Sequence, residues 1–239
     1  MRRRPGVATA LAIAASWGAP ADGLAQVSGS IGVDSVDRYR GEGADGTGPI
    51  VEANVAGDTP LGFYGALSAH YHFHEGQVTV VDGLLGWSGR FQDPAKDLTI
   101  DPAWGWDIGF HRHLEGAGLE FGVSESMVGL LGPGFDARIW YSRNYYGSNW
   151  HSVYGEINAS HAFDAHLQVF AHLGYLHYAA LPYNEYPRPQ GHTDGRIGMS
   201  WNDGPWTWRL ARDAMLSGPA YGTYEMRRPA WIAGAEFAF

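Results

Sequence analysis

Histidines alternate with other residues in two parts of the sequence, at His70, His72 and His74 and again at His111 and His113. On an extended strand, alternate residues share one face about 7 Å apart, so such imidazoles can chelate a transition metal with help from a neighbouring strand. The alternative, which we favour because a short motif is only a hypothesis, is that they are ordinary polar side chains of a wet interior. We therefore predict no metal and no cofactor, with His70, His72 and His74 as weak metal candidates.

A second group of residues has the types that act in nucleophilic hydrolysis, where Ser and His work with an acid or an amide. Ser160 and His161 are adjacent, so on a strand they point to opposite faces, which is poor geometry for a nucleophile and its base. The Gly-x-Ser-x-Gly sequence of many hydrolases is absent. We therefore predict that the protein is not an enzyme and has no catalytic residues. The residues considered are Ser152, Glu156, Asn158, Ser160, His161 and His166.

Charged residues of both signs recur at alternate positions within otherwise apolar segments. A closed ring of such strands would enclose a lumen lined with charge. Because acids outnumber bases in this set, a water-filled lumen would pass small solutes and slightly favour cations. Alternatively, the charges pair across a narrow lumen and plug it. The predicted pore-lining residues are Glu52, Asp82, Asp107, Glu120, Arg138, Glu156, Arg196, Arg209 and Glu236.

The end of the chain, residues 231–239, shows the kind of strand that would position these side chains. One face carries Trp231 and Phe239 and is wholly apolar, whereas the other includes Glu236. A transmembrane barrel strand has this design, with one face toward lipid and the other toward a wet lumen. The terminal Phe239 also resembles the signal that outer-membrane barrels present to their assembly machinery. We expect this strand to pair with the first one and close the ring.

Alternating segments of about ten residues recur from Gln26 to Phe239, separated by turn residues. They predict an all-β fold, an antiparallel up-and-down transmembrane β-barrel of about twelve strands, with ten or fourteen left open. In the sixth segment, the pattern places Val123 toward lipid and Glu120 and Ser124 toward the lumen.

Loop lengths test this count, because periplasmic turns of such barrels are short and external loops are long. An even count puts both chain ends on the periplasmic side, and the connections 162–165 and 203–205 on that side are short as expected. However, the segment 89–102 is long although it would be periplasmic, and the external connection 75–77 is short. Either this region holds an insertion or the count is wrong there.

The N-terminal region has the features of a secretory signal peptide. A basic stretch, residues 2–4, precedes an apolar stretch, residues 7–17, that is too short to span a bilayer as a helix. Cleavage is predicted after Ala25. The chain would then consist of a signal peptide, residues 1–25, and an outer-membrane barrel, residues 26–239.

Composition agrees with such a barrel and argues against several classes of protein. The chain has 34 Gly, 10 Trp and 13 Tyr, and only 17% of its residues are charged, which suits strands with small residues and aromatic girdles. Without Cys there is no disulfide, iron–sulfur cluster or Cys-ligated zinc. The net charge of −9 argues against nucleic acid as a partner.

Three stretches carry a resemblance to a known family. They are Ser35-Val36-Asp37-Arg38-Tyr39-Arg40-Gly41 with Pro49 and Gly62-Phe63-Tyr64-Gly65, then Tyr141-Ser142-Arg143-Asn144-Tyr145-Tyr146-Gly147, and the ending at Phe239. The chain resembles the TorF-like porin family of proteobacterial outer-membrane proteins in these places. The resemblance implies a porin fold and suggests a role for Arg38 and Arg40, although pairing at the rim with Asp37 or Glu42 is equally open.

Together these features predict a protein exported to the outer membrane of a Gram-negative bacterium. The preferred function is a porin-like channel for passive diffusion of small solutes or ions. A closed barrel with a structural or surface-binding role is the alternative, and an outer-membrane lipid hydrolase comes third. The expected partners are outer-membrane lipid, small solutes, and the barrel-assembly machinery through the C-terminal strand that ends at Phe239.

Overall fold

In the part of the chain that it describes, the computed structural model contains fourteen β-strands, and twelve of them form one closed antiparallel barrel. The remaining two, β2 and β3, pair with each other in the connection between β1 and β4. The strands are β1 (Gln26–Asp34), β2 (Arg38–Tyr39), β3 (Glu42–Gly43), β4 (Ile50–Asp58), β5 (Phe63–His72), β6 (Gln77–Arg90), β7 (Gly105–Glu115), β8 (Phe121–Gly132), β9 (Phe135–Ser142), β10 (His151–Ala162), β11 (Leu167–Ala179), β12 (His192–Asp203), β13 (Trp206–Ser217) and β14 (Ala230–Ala238).

The structure describes most of the chain after the predicted signal peptide. The predicted peptide itself, residues 1–25, and the predicted pore-lining residue Glu120 lie outside the described part. Within the described part, no helix is both long and apolar enough to cross a membrane. The described residues are 26–43, 48–91, 104–116, 118–119, 121–147, 150–179, 191–217 and 228–239.

The ring closes between its first and last strands, as the sequence predicts. The register pairs Gly32 of β1 with Glu236 of β14. Beyond the end of β14, Phe239 and Gly29 exchange two backbone hydrogen bonds, of 2.9 and 3.1 Å. Every barrel strand therefore has two neighbours, which leaves no open sheet edge. The predicted fold class and the count of twelve strands are confirmed.

The two faces of each strand differ as the alternation predicts. In β14, Trp231 on the outer face is 61% exposed, whereas Ile232 on the inner face is 7% exposed. Apolar side chains on the outside of the other strands, such as Leu85 and Ile197, are likewise exposed. A continuous apolar outer surface of this kind is expected of a barrel that faces lipid and is unusual in a soluble protein.

One predicted pair of faces is wrong, in β8. Val123 is fully buried on the inner face, and Ser124 lies on the outer face, where its hydroxyl accepts a hydrogen bond from Arg112. The register explains this, because Val123 pairs with His113 of β7, and paired residues of an antiparallel ladder share a face. The inner face of β8 carries the apolar Val123 and Met127 and its outer face carries Ser124 and Ser126, so the rule that the apolar face meets lipid gives the wrong faces here.

A register shift in β6 adds a second departure from simple alternation. His70 of β5 pairs with Val80, but the next residue, Tyr71, pairs with Val78. The skipped residue, Thr79, and its neighbour Val80 are therefore both buried. Such a β-bulge bends the strand and increases its local twist.

The predicted long connection 89–102 joins β6, which ends at Arg90, to β7, which begins at Gly105, and its residues 92–102 lie outside the described part of the chain. The ring has twelve strands as predicted, so the long connection does not hide a strand of the ring. The connection from β1 to β4, which forms the candidate site, lies at the end of the barrel opposite the chain termini.

Candidate functional site in the barrel lumen

Residues 37–41, which follow β1, turn into the barrel instead of staying at its rim, and we call them the lumen segment. Asp37 is 9% exposed and Gly41 is also buried. The chain turns at Arg40 and Gly41, where φ is 50° and 77°. This left-handed conformation is costly for Arg and favourable for Gly, so the surrounding contacts must hold it.

The segment first contacts β5 through Asp37. Its carboxylate accepts hydrogen bonds from His70 Nδ1 at 2.9 Å and from His72 Nε2 at 3.1 Å. The other nitrogen of His70 lies 3.8 Å from the predicted pore-lining Glu52. Burial alone would raise the pKa of Asp37, but the hydrogen bonds and positive charge of the two histidines outweigh it and hold that pKa well below its usual value.

The histidine motif is thus divided between two surroundings. His70 and His72 share the inner face and bind Asp37, whereas His74 lies beyond the end of β5 and is exposed. Among the described residues, no group of three or more His, Asp or Glu side chains is placed to hold a metal ion.

Tyr39 forms the next contact, with β7. Its ring stacks on His113, with ring centroids 4.3 Å apart and planes 8° from parallel. His113 Nδ1 lies 2.7 Å from Asp82 Oδ1, and His111 Nε2 lies 3.0 Å from the same oxygen. The predicted pore-lining Asp82 therefore holds both histidines of β7 and, through one of them, the ring of Tyr39.

Arg40 reaches the far wall of the barrel and forms the central contact. Its guanidinium donates two hydrogen bonds to Glu125 of β8, at 2.9 and 2.6 Å, and lies 4.1 Å from the ring centroid of Tyr154 on β10. The side chain of Glu125 is 0% exposed and that of Arg40 is 7% exposed. Burial alone would lower the pKa of Arg40, but the charge of Glu125 outweighs it and raises that pKa, so the guanidinium stays charged.

The other wall is contacted through Arg38 and the segment's backbone. Arg38 Nε lies 3.6 Å from Asp213 of β13, and its carbonyl accepts a hydrogen bond from Arg196 of β12 at 3.4 Å. The carbonyl of Arg40 accepts one from His192 at 3.1 Å. Rim pairing of these arginines with Asp37 is therefore wrong, because the fold brings each of them to a carboxylate of a distant strand.

The predicted pore-lining residues that the structure describes all lie on the inner faces of their strands, and several pair along the wall. Arg138 Nε lies 3.2 Å from Asp107, and its Nη1 lies 2.6 Å from Asp136. Arg196 Nε lies 2.8 Å from Asp213.

Charged side chains also pair near the seam, the contact between β14 and β1 that closes the ring. Arg209 Nη2 lies 2.8 Å from Asp34, and Nη1 lies 3.9 Å from Glu236. Glu156 accepts a hydrogen bond from the indole of Trp140 at 2.9 Å. That these residues line an open pore stays a prediction.

The lumen is less filled toward the end that holds the chain termini. On inner faces there, Ser28 is exposed, and Asn158, Ser160, Gln168 and Asn202 are half-buried. The inner faces toward the other end are buried, where the lumen segment covers them. The inner face of the barrel is therefore more accessible to solvent on this side of the segment than on the other.

Several residues of the site did not follow from the sequence patterns used above. Glu125 was missed because the faces of β8 were misassigned. Asp194 and Asp213 lie two and four positions from the predicted Arg196 and Arg209, on the same faces, so extending those two strands outward would have found them. No pattern predicted that Asp37 enters the lumen.

The candidate hydrolase residues are not assembled by the fold into a catalytic group. Ser160 and His161 occupy successive positions of β10, so they lie on opposite faces, and His161 is exposed. His166 lies in the turn before β11 and contacts the carbonyl of Asn202 at 2.7 Å.

Solved structures of similar fold include porins. A KdgM porin matches with a TM-score of 0.54 at 10% identity, covering 89% of this chain and 99% of that chain. A KdgM porin in complex with disordered oligogalacturonate matches with a TM-score of 0.51 at 8% identity, covering 90% and 99%. A NanC porin matches with a TM-score of 0.50 at 11% identity, covering 89% and 98%.

At these identities the likeness concerns the fold alone. No protein-family model matches the sequence, and no curated protein matches it. The resemblance to the TorF-like family therefore stays a prediction.

Proposed function

We propose that this chain is a porin-like outer-membrane channel for passive diffusion of small solutes or ions, with a preference for cations. The observation that carries the proposal is the two-faced barrel wall. Its outer face is apolar and exposed, whereas its inner face is polar and charged and is open to solvent at one end. The porins of similar fold support a channel without an enzymatic activity.

Acidic side chains outnumber arginines on the inner face, and such a wall attracts cations and repels anions. A KdgM porin has been solved with oligogalacturonate. An acidic oligosaccharide of that kind would be disfavoured in this lumen. The inward carboxylates are Asp34, Asp37, Glu52, Asp82, Asp107, Glu125, Asp136, Glu156, Asp194, Asp213 and Glu236, and the inward arginines are Arg38, Arg40, Arg138, Arg196 and Arg209.

The same proposal includes the location and the partners of the protein. Export with cleavage near Ala25 would deliver the chain to the periplasm. The exposed apolar belt would then contact outer-membrane lipid, and the strand ending at Phe239 would engage the assembly machinery.

Current recordings in planar bilayers test the channel. Purified folded protein should give discrete channel events, and the reversal potential in a KCl gradient should show cation preference. Glu156→Gln removes an inward charge and should reduce that preference, whereas the matched change Asp164→Asn in the exposed β10–β11 turn should leave it unchanged. Folded protein that gives no channel events would contradict the proposal.

A closed barrel with a structural or surface-binding role is the second candidate. The observation that favours it is the lumen segment, which pairs with Glu125 of β8 and with Asp213 of β13, five strands away around the ring. In this case the loops at the same end would carry the function, and the recordings above would show no conductance.

A further inference from the structure

We propose that the lumen segment is an internal plug that limits permeation, clamped by the Arg40–Glu125 ion pair, and that release of this clamp opens the lumen. The inference rests on the proposed channel function and deepens it. It assigns to residues 37–41 the control of what passes through the barrel.

The lumen segment crosses the interior of the barrel from one wall to the other. It starts at the end of β1, and Arg40 binds Glu125 on β8, which is five strands away from β1 in one direction around the ring and seven in the other. Two other residues of the segment contact further strands: Asp37 contacts His72 of β5, and Arg38 contacts Asp213 of β13. A solute that follows the barrel axis therefore meets the backbone of this segment.

The plug is not part of the barrel sheet. The strand β2 within it pairs only with β3, and neither belongs to the barrel ladder. The twelve barrel strands keep all of their ladder hydrogen bonds whether the segment is present or absent. The segment can therefore move or be replaced while the barrel stays closed.

Ion pairs and hydrogen bonds, together with the stacking of Tyr39 on His113, hold the plug. Arg40 and Glu125 form a bidentate, fully desolvated pair, and Asp37 bonds two histidines. A buried pair of this kind is sensitive to the loss of one partner, because the remaining charge is left buried and uncompensated. One substitution at the clamp should thus displace the segment from its place across the lumen.

The test compares channel conductance among three variants in the full chain. In the first, residues 37–41 are replaced by Gly-Gly-Ser-Gly-Gly, which keeps the length and removes every side-chain anchor. The second is Glu125→Gln, which breaks the clamp. The control is Arg112→Met, which removes an exposed arginine on the outer face of β7.

If the segment is a plug, the glycine-rich and Glu125→Gln variants should have a severalfold larger conductance than the wild type. Arg112→Met should conduct like the wild type. Liposome-swelling rates with a trisaccharide should rise in the same order. A heat-modifiable shift on gels checks that each barrel has folded. Should the glycine-rich variant fail to fold, Arg40→Gln replaces it, because it breaks the clamp from the side of the segment and leaves Glu125 uncompensated.

The outcomes separate this inference from the channel proposal. If all variants conduct like the wild type, the plug is refuted and the channel proposal stands. If the wild type is silent and the clamp variants conduct, the plug is supported and a constitutively open channel is refuted. If no folded variant conducts, the segment is not what limits permeation, and the plug is refuted together with the channel.

Discussion

Asp37 shows at the scale of single residues how this lumen tolerates buried charge. A carboxylate removed from water normally becomes protonated unless it has partners. Here the imidazoles of His70 and His72 supply two hydrogen bonds, at 2.9 and 3.1 Å. Despite burial, they lower the pKa of Asp37. The same logic applies to Arg40, whose buried charge is matched by Glu125.

The lowered pKa of Asp37 predicts how stability depends on pH. A carboxylate with a lowered folded pKa stabilises the protein above its usual pKa of about 3.9, and this contribution is lost as pH falls through the folded value. Asp37→Asn should therefore lower the free energy of unfolding near neutral pH, and its difference from the wild type should shrink as pH falls from about 6 to about 2.

Urea unfolding of the refolded barrel at several pH values measures this difference. Asp203→Asn, at the exposed end of β12, serves as the control. If the difference in free energy of unfolding between the wild type and Asp37→Asn grows as the pH falls, the prediction is contradicted.

At the scale of elements, the turn at the end of the lumen segment depends on a glycine. Gly41 has a φ of 77°, and a Cβ added there would press against the side chain of Asp194 on β12. The turn can therefore approach β12 closely only because the residue has no side chain. This close approach lets the carbonyl of Arg40 reach His192.

Gly41→Ala should consequently destabilise the fold by about 1–3 kcal/mol through overpacking, in addition to about 1 kcal/mol for the left-handed conformation. Gly204→Ala is a matched control, because φ there is 60° and nothing lies within 4 Å of the added Cβ. Thermal unfolding in detergent should show the larger loss for Gly41→Ala. Equal losses would mean that the segment does not pack against β12.

At the scale of the whole molecule, the ring depends on the seam between β1 and β14. Phe239 contributes two backbone hydrogen bonds to this seam, both with Gly29, and its ring lies beside Gly29 while remaining 77% exposed. The exposed ring is therefore available to a partner, in keeping with the proposed contact with the assembly machinery.

Phe239→Ala should keep the seam and fold normally in detergent, because its backbone groups remain. In cells, the yield of assembled barrel in the outer membrane should fall severalfold. Phe63→Ala, which removes another exposed aromatic ring, is the control. If Phe239→Ala assembles in the same yield as the wild type, the assembly machinery does not recognise the side chain of the last residue.

Much of the architecture could be predicted from the sequence, and the exceptions have physical causes. The faces of β14 follow from Trp231 to Phe239 alone, because side-chain direction along a strand is local. The faces of β8 do not, because its inner face carries the apolar Val123 and Met127 while its outer face carries Ser124 and Ser126. The bulge at Thr79 depends on how β6 meets β5, so no local pattern indicates it.

By itself, the sequence predicted an up-and-down barrel of about twelve strands and the polarity of most of its two surfaces, since these depend on alternation between neighbouring residues and on turn residues; the closed ring fixed the count at twelve. Only the tertiary structure decided where residues 37–41 lie. Arg40 and Glu125 are 85 positions apart, and their pairing requires the ring to close so that β8 stands opposite β1. A motif that could have stayed at the rim thus becomes the centre of the lumen, because that is where its charges find partners.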